Sequence, residues 1–179
     1  EGELPQEQGK TFEPTDVPTE NTPKQSSDGN EPIVLRGRYI LEMASPLPQF
    51  DSPSAKSYLV EDSHDLEQKL FVLICSPKIL PRLESITKQR ALVSMGRLEV
   101  IEWGVVYWPP LVQSTMAIVF KQPLGGRITL RLAQKEVIIT DYDAPKKLVS
   151  PLTKILKKLA DEDAPHRAIR PDNIFFNDK

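Results

Sequence analysis

Residues Leu70-Phe71-Val72-Leu73-Ile74-Cys75 form an unbroken apolar run of six, opened by Lys69. A strand with one wet face alternates apolar and polar residues. This run does not alternate, so it reads as a strand covered on both faces. Met116-Ala117-Ile118-Val119-Phe120 reads as a second strand of the same kind. A chain that carries such segments needs a sheet to hold them and further elements to cover it.

The neighbouring sequence supplies candidates. Ile33-Val34-Leu35 is a short apolar run, and Gly37-Arg38-Tyr39-Ile40-Leu41 reads as a first strand. From Ser45 to Pro53 three prolines in nine residues predict a loop without a regular element. Ala55–Glu61 reads as a strand and Asp62–Asp65 as a polar turn. A helix is expected between Arg82 and Val93, with Pro81 in its first turn, an apolar face of Leu83, Ile86 and Leu92 or Val93, and Gly96 as its stop. Leu98–Trp108 suggests strand material closed by Pro109-Pro110, and Lys121–Gly126 a turn or linker. Arg127–Lys135 suits either a strand or a short helix. Ser150 as cap and Pro151 as first residue predict a helix to about Asp161, with Leu148, Leu152, Ile155, Leu156 and Leu159 on one face and Lys154, Lys157 and Lys158 on the other. No internal repeat is present.

Composition separates residues 1–32 from the rest. They hold five prolines, eight acids and two lysines, and no large apolar side chains beyond Leu4, Phe12 and Val17. Such a stretch cannot bury enough surface to offset its chain entropy and reads as a disordered acidic, proline-rich tail. Its net charge of −6, in a chain whose formal charge is −2, leaves +4 for residues 33–179. That excess is too small to argue for nucleic acid. No apolar run approaches the roughly 18 residues of a membrane span. The lysine-bearing helix is short and needs its apolar face for packing, which argues against a membrane surface. One cysteine excludes an internal disulfide and fits a reducing, cytoplasmic compartment. One cysteine and two histidines cannot fill a zinc site. The chain opens on Glu1, which suggests an excerpt from a longer protein.

Near the end, His166-Arg167-Ala168-Ile169-Arg170-Pro171-Asp172-Asn173 precedes the apolar Ile174-Phe175-Phe176. This segment resembles the catalytic loop of protein kinases, His-Arg-Asp-Leu-Lys-Pro-Glu-Asn followed by an apolar strand. Arg38-Tyr39 and Tyr58–Asp62 look like the opening strands of many bacterial kinases of the Ser/Thr type, and Phe120–Gly126 resembles their hinge. The resemblance spans roughly 36–177. It implies an α+β fold: a small lobe with a five-stranded antiparallel sheet and one helix over 33–122, then a hinge and a partial helical large lobe over 123–179.

The resemblance also marks what is missing. Ala168 stands where the family places its catalytic aspartate, and a methyl group accepts no proton. Cys75 stands where the third strand normally ends in a lysine that pairs the phosphates and a helix glutamate. Lys78 is a nearby substitute by sequence only, and Glu84 is the only acid of the expected helix. No glycine occurs from Arg38 to Met95, so the phosphate-cradling loop is replaced by a proline-bearing one. His166 and Arg167 match positions that hold the loop together, Arg170 replaces a phosphate-contacting lysine, and Asn173 matches a metal-binding asparagine. Asp178 follows the last strand too closely to be the family's second metal ligand. With base, lysine and glycine loop all absent, the expectation is a pseudokinase: no enzyme, no cofactor and no metal, acting through a protein partner or other domains of a longer chain. The alternative is a divergent nucleotide-binding protein or an enzyme of altered chemistry. Trp108, Pro109 and Pro110 are the candidate interaction residues. The resemblance implies either a lobe cut short, whose apolar surface self-association or a partner would cover, or a lobe whose remainder was lost in evolution.

Overall fold

The computed structural model describes residues 32–79, 81–91, 96–164 and 169–177. Its elements in chain order are β1 (Ile33–Leu35), β2 (Tyr39–Pro46), β3 (Ala55–Asp62), β4 (Leu70–Cys75), α1 (Leu83–Ala91), β5 (Val100–Trp108), β6 (Gln113–Lys121), β7 (Gly126–Arg127), α2 (Ile128–Ala133), α3 (Ser150–Asp161) and β8 (Phe175–Phe176). The class is α+β. The tail expected over 1–32 lies, apart from Pro32, outside the described residues.

Strands β1 to β6 form one antiparallel sheet in the order β1-β2-β3-β4-β6-β5, and β7 pairs β8 in a separate ribbon. The apolar run that opened the sequence is β4, in the interior of the sheet between β3 and β6. Leu70, Val72 and Ile74 point into a core with Leu35, Leu41, Val60, Val106, Trp108 and Val119. Cys75, on the opposite face, packs with Ile86 of α1 and with Val100, Met116 and Ile118. Fully burying a Leu, Val or Ile side chain contributes about 1.5–3 kcal/mol, so this strand alone is a large share of the stability. At the open edges β1 packs against β5, and the sheet curls almost into a barrel. Gly104 permits this approach: a Cβ there would lie 2.7 Å from Leu35 Cδ1.

The sheet has six strands rather than the five expected. The extra strand, β1, is the Ile33–Leu35 run, which pairs with β2 through a tight turn. Arg36 and Gly37 both take positive φ (55° and 65°), and the Arg38 amide donates to the Leu35 carbonyl. Gly37 and Arg38 therefore belong to the turn and not to the first strand. The proline-bearing stretch is also more regular than expected. Strand β2 runs into Pro46, and Pro48–Phe50 form a single 3-10 turn, because proline fits the first position of such a turn.

The helices depart from expectation in three places. Pro81 lies before α1, and Leu83 is half exposed, so only Ile86 anchors the described part of that helix. Leu92 and Val93 lie outside the described residues. Arg127–Lys135 divides into the two-residue strand β7 and the helix α2. Ser150 makes no side-chain cap, because a π-helical turn over Pro145–Val149 already leads into α3. Pro151 has no N–H to continue an α-helical ladder. The wider turn, with the Ser150 amide donating to the Pro145 carbonyl, accommodates it. Among the described residues no helix is long and apolar enough to cross a membrane.

Candidate functional site

Among the described residues, the positions named for kinase chemistry do not assemble into a charged centre. Cys75 ends β4 beneath α1 and is buried. Burial pushes its thiol up to about 11, so it is neutral and a poor nucleophile near pH 7. Its carbonyl accepts a hydrogen bond from the buried Thr115 hydroxyl at 2.6 Å. Lys78 is exposed in the turn after β4, and Glu84 is exposed in the first turn of α1. The ion pair that α1 makes with the sheet is instead Arg90 to Glu102, at 3.2 Å.

In the closing segment, His166, Arg167, Ala168 and Asp178 lie outside the described residues. Pro171–Asn173 form a 3-10 turn, and Arg170 pairs with Asp172 at 3.0 Å, both half exposed. Among the described residues no group of three or more His, Cys, Asp or Glu side chains comes together in a way that would hold a metal.

What the fold does assemble is aromatic. Phe50, at the tip of the β2–β3 loop, stacks on Phe71 of β4 with ring centroids 4.3 Å apart and planes 22° apart. Phe71 in turn stacks on Phe120 of β6 at 5.4 Å. On its other side Phe50 meets Phe175 of β8 at 5.7 Å. Four rings thus run from the main sheet, through one loop, to the strand that follows the kinase-like motif. The loop's backbone adds a polar tie. Arg127, which pairs with Phe175 across the ribbon, donates from Nη2 to the Asp51 carbonyl at 2.6 Å. Arg127 Nε is buried without a hydrogen-bond partner among the described residues.

Asp51 ties the loop to the first residues of β3. Its carboxylate accepts bonds from Lys56 Nζ at 2.7 Å, from the Ser57 amide at 2.9 Å and from the Ser57 hydroxyl at 2.9 Å. The Leu47 carbonyl also faces the Ser57 hydroxyl, whose one proton is shared between the two acceptors. Burial alone would raise the Asp51 pKa, but these donors outweigh it and hold the group below the usual carboxylate value. None of Phe50, Phe71, Phe175 or Arg127 stood out in the sequence as a functional residue. The available signal was Phe50 itself, with Leu47 one of two large apolar side chains among prolines and polar residues. Such a residue in a loop calls for a place to be buried.

The interaction residues need one correction. Trp108 is not at the surface: it is 1% exposed, inside the barrel against Tyr58 at 4.8 Å. Strand alternation turns it inward with Val106, while Val105 and Tyr107 point outward. Pro109 and Pro110 are exposed in the hairpin that follows, beside the exposed Leu111 and Val112. The apolar surface is therefore the outer side of the β5–β6 hairpin, without its tryptophan.

Searches against protein-family models and curated proteins return no match to this sequence.

Proposed function

We propose that this chain is a kinase-like, non-catalytic module that works by contact with another protein or with other parts of a longer chain. The element order supports the kinase-like part. Three strands (β2–β4), helix α1 and two strands (β5–β6) are followed by Gly125-Gly126, further helix and the closing motif, with β1 as an addition at the edge. One observation carries the non-catalytic part. At the end of β4, where the resemblance calls for a lysine, there is a buried neutral thiol, and the acid of α1 points into solvent. Phosphoryl transfer depends on positioned charge, and this position supplies none. The loop that should admit phosphates is proline-bearing and sends Phe50 onto the sheet. The outer side of the β5–β6 hairpin, with Val105, Tyr107, Pro109, Pro110 and Val112, is the surface offered to a partner.

Thermal denaturation with ATP, with and without magnesium, tests this reading. The melting temperature is expected to stay the same in both. A magnesium-dependent rise would favour the divergent nucleotide-binding alternative. Ala168→Asp restores the missing base alone, and this variant is expected to transfer no phosphate. Measurable transfer would overturn the proposal.

A further inference from the structure

We propose that the β2–β3 loop, residues 47–54, is a strap whose Phe50 plugs the space between the main sheet and the β7–β8 ribbon and fixes one against the other. Three independent features support it. The first is the ring ladder, in which Phe50 alone bridges Phe71 of the sheet and Phe175 of the ribbon. The second is the polar tie beside it, from Arg127 to the Asp51 carbonyl, which joins the same loop to the same ribbon.

The third is the way the loop is hung. The β2–β3 register jumps from Glu42↔Leu59 to Pro46↔Tyr58, so Met43, Ala44 and Ser45 have no facing residue on β3. That bulge bends β2 at the root of the strap. Pro46, Pro48 and Pro53 stiffen the span itself, and the Asp51–Ser57 bonds preform its shape. The same bonds pin the span to β3, because Ser57 belongs to that strand. Held there, Phe50 fills the space between Phe71 and Phe175. The loop thus ties the ribbon to the sheet through a ring contact and a hydrogen bond.

Amide hydrogen exchange on the full chain tests the coupling without any nucleotide, so its outcome is separate from that of the ATP experiment. In Phe50→Ala, the Ile128 amide, which donates to the Ile174 carbonyl at 2.9 Å, is expected to exchange at least about tenfold faster. The Val72 and Val119 amides in the sheet are expected to keep their rates. Phe50→Leu keeps apolar bulk but not the flat ring, and should give a smaller rise with the same selectivity. Unchanged exchange at Ile128 in both variants would overturn the strap. So would a rise shared equally by Val72 and Val119, which would make Phe50 an ordinary core residue.

Discussion

Cys75 illustrates how one side chain decides what a site can do. Its thiol sits at a strand end, packed on both sides by apolar groups, and burial pushes its pKa to about 11. At pH 7 the reactive thiolate is therefore rare. Native protein is expected to resist alkylation by iodoacetamide over hours and to label readily once urea unfolds it, which mass spectrometry reads directly. Rapid labelling of folded protein would contradict this placement. The same burial makes Cys75→Lys a poor route to a kinase-like site. The acid of α1, Glu84, is exposed and is not placed to pair with an ammonium there. The expected result is a loss of several kcal/mol in stability, with no gain in nucleotide binding. Neither outcome could be read from Cys75 alone. A lone cysteine can be buried or reactive, and only its neighbours decide.

Among the elements, the turn after β6 shows glycine used for close approach. Gln122 fastens the end of β6 to β4, its amide donating to the Lys69 carbonyl and its side chain to the Leu70 carbonyl. Three residues later a Cβ on Gly125 would lie 2.0 Å from the Phe176 carbonyl oxygen and 2.5 Å from its carbon. Both are backbone atoms, so no side-chain rotation relieves the clash. Gly125→Ala is expected to part β7 from β8 and to cost about 1–3 kcal/mol. Chemical denaturation would show the loss, and faster exchange at Ile128 would locate it. Equal stability of the variant would mean that the ribbon tolerates separation. The Gly-Gly pair was legible as a turn or linker. That Gly125 is pressed against Phe176 was not, because its partner lies some fifty residues further along the chain.

For the molecule as a whole, acid sensitivity follows from two aspartates that tie loops and strands to the sheet. Asp62 is sealed from solvent, and its carboxylate accepts two bonds of 2.6 Å from Arg38 and one of 3.0 Å from the His64 amide. The Arg38 bonds come first in holding its pKa below the ordinary value, and they outweigh its burial. Asp51 is lowered as well. A carboxylate with a depressed folded-state pKa stabilises the fold above its unfolded value, about 3.9, and loses that contribution as pH falls through the folded value. The urea midpoint is therefore expected to drop steeply below about pH 4. Asp62→Asn should be less stable than the parent at pH 7, and the gap should close on acidification. A gap that stays constant from pH 7 to pH 3 would remove Asp62 from this account.

The sequence by itself determined most of the strands and their alternation. An apolar run of six has nowhere to go but between two covered faces, and β4 occupies such a place. Residue identity needs no coordinates, and it also places a cysteine at 75 and an alanine at 168, where the resemblance to kinases would call for charge. The tertiary structure decided the rest. It turned Trp108 inward by strand parity, set β1 beside β2 and against β5, and carried Phe50 across to Phe175, 125 positions later. Those outcomes depend on which segments meet in space. Local propensity and periodicity report on a few neighbours along the chain and do not specify contacts between distant segments.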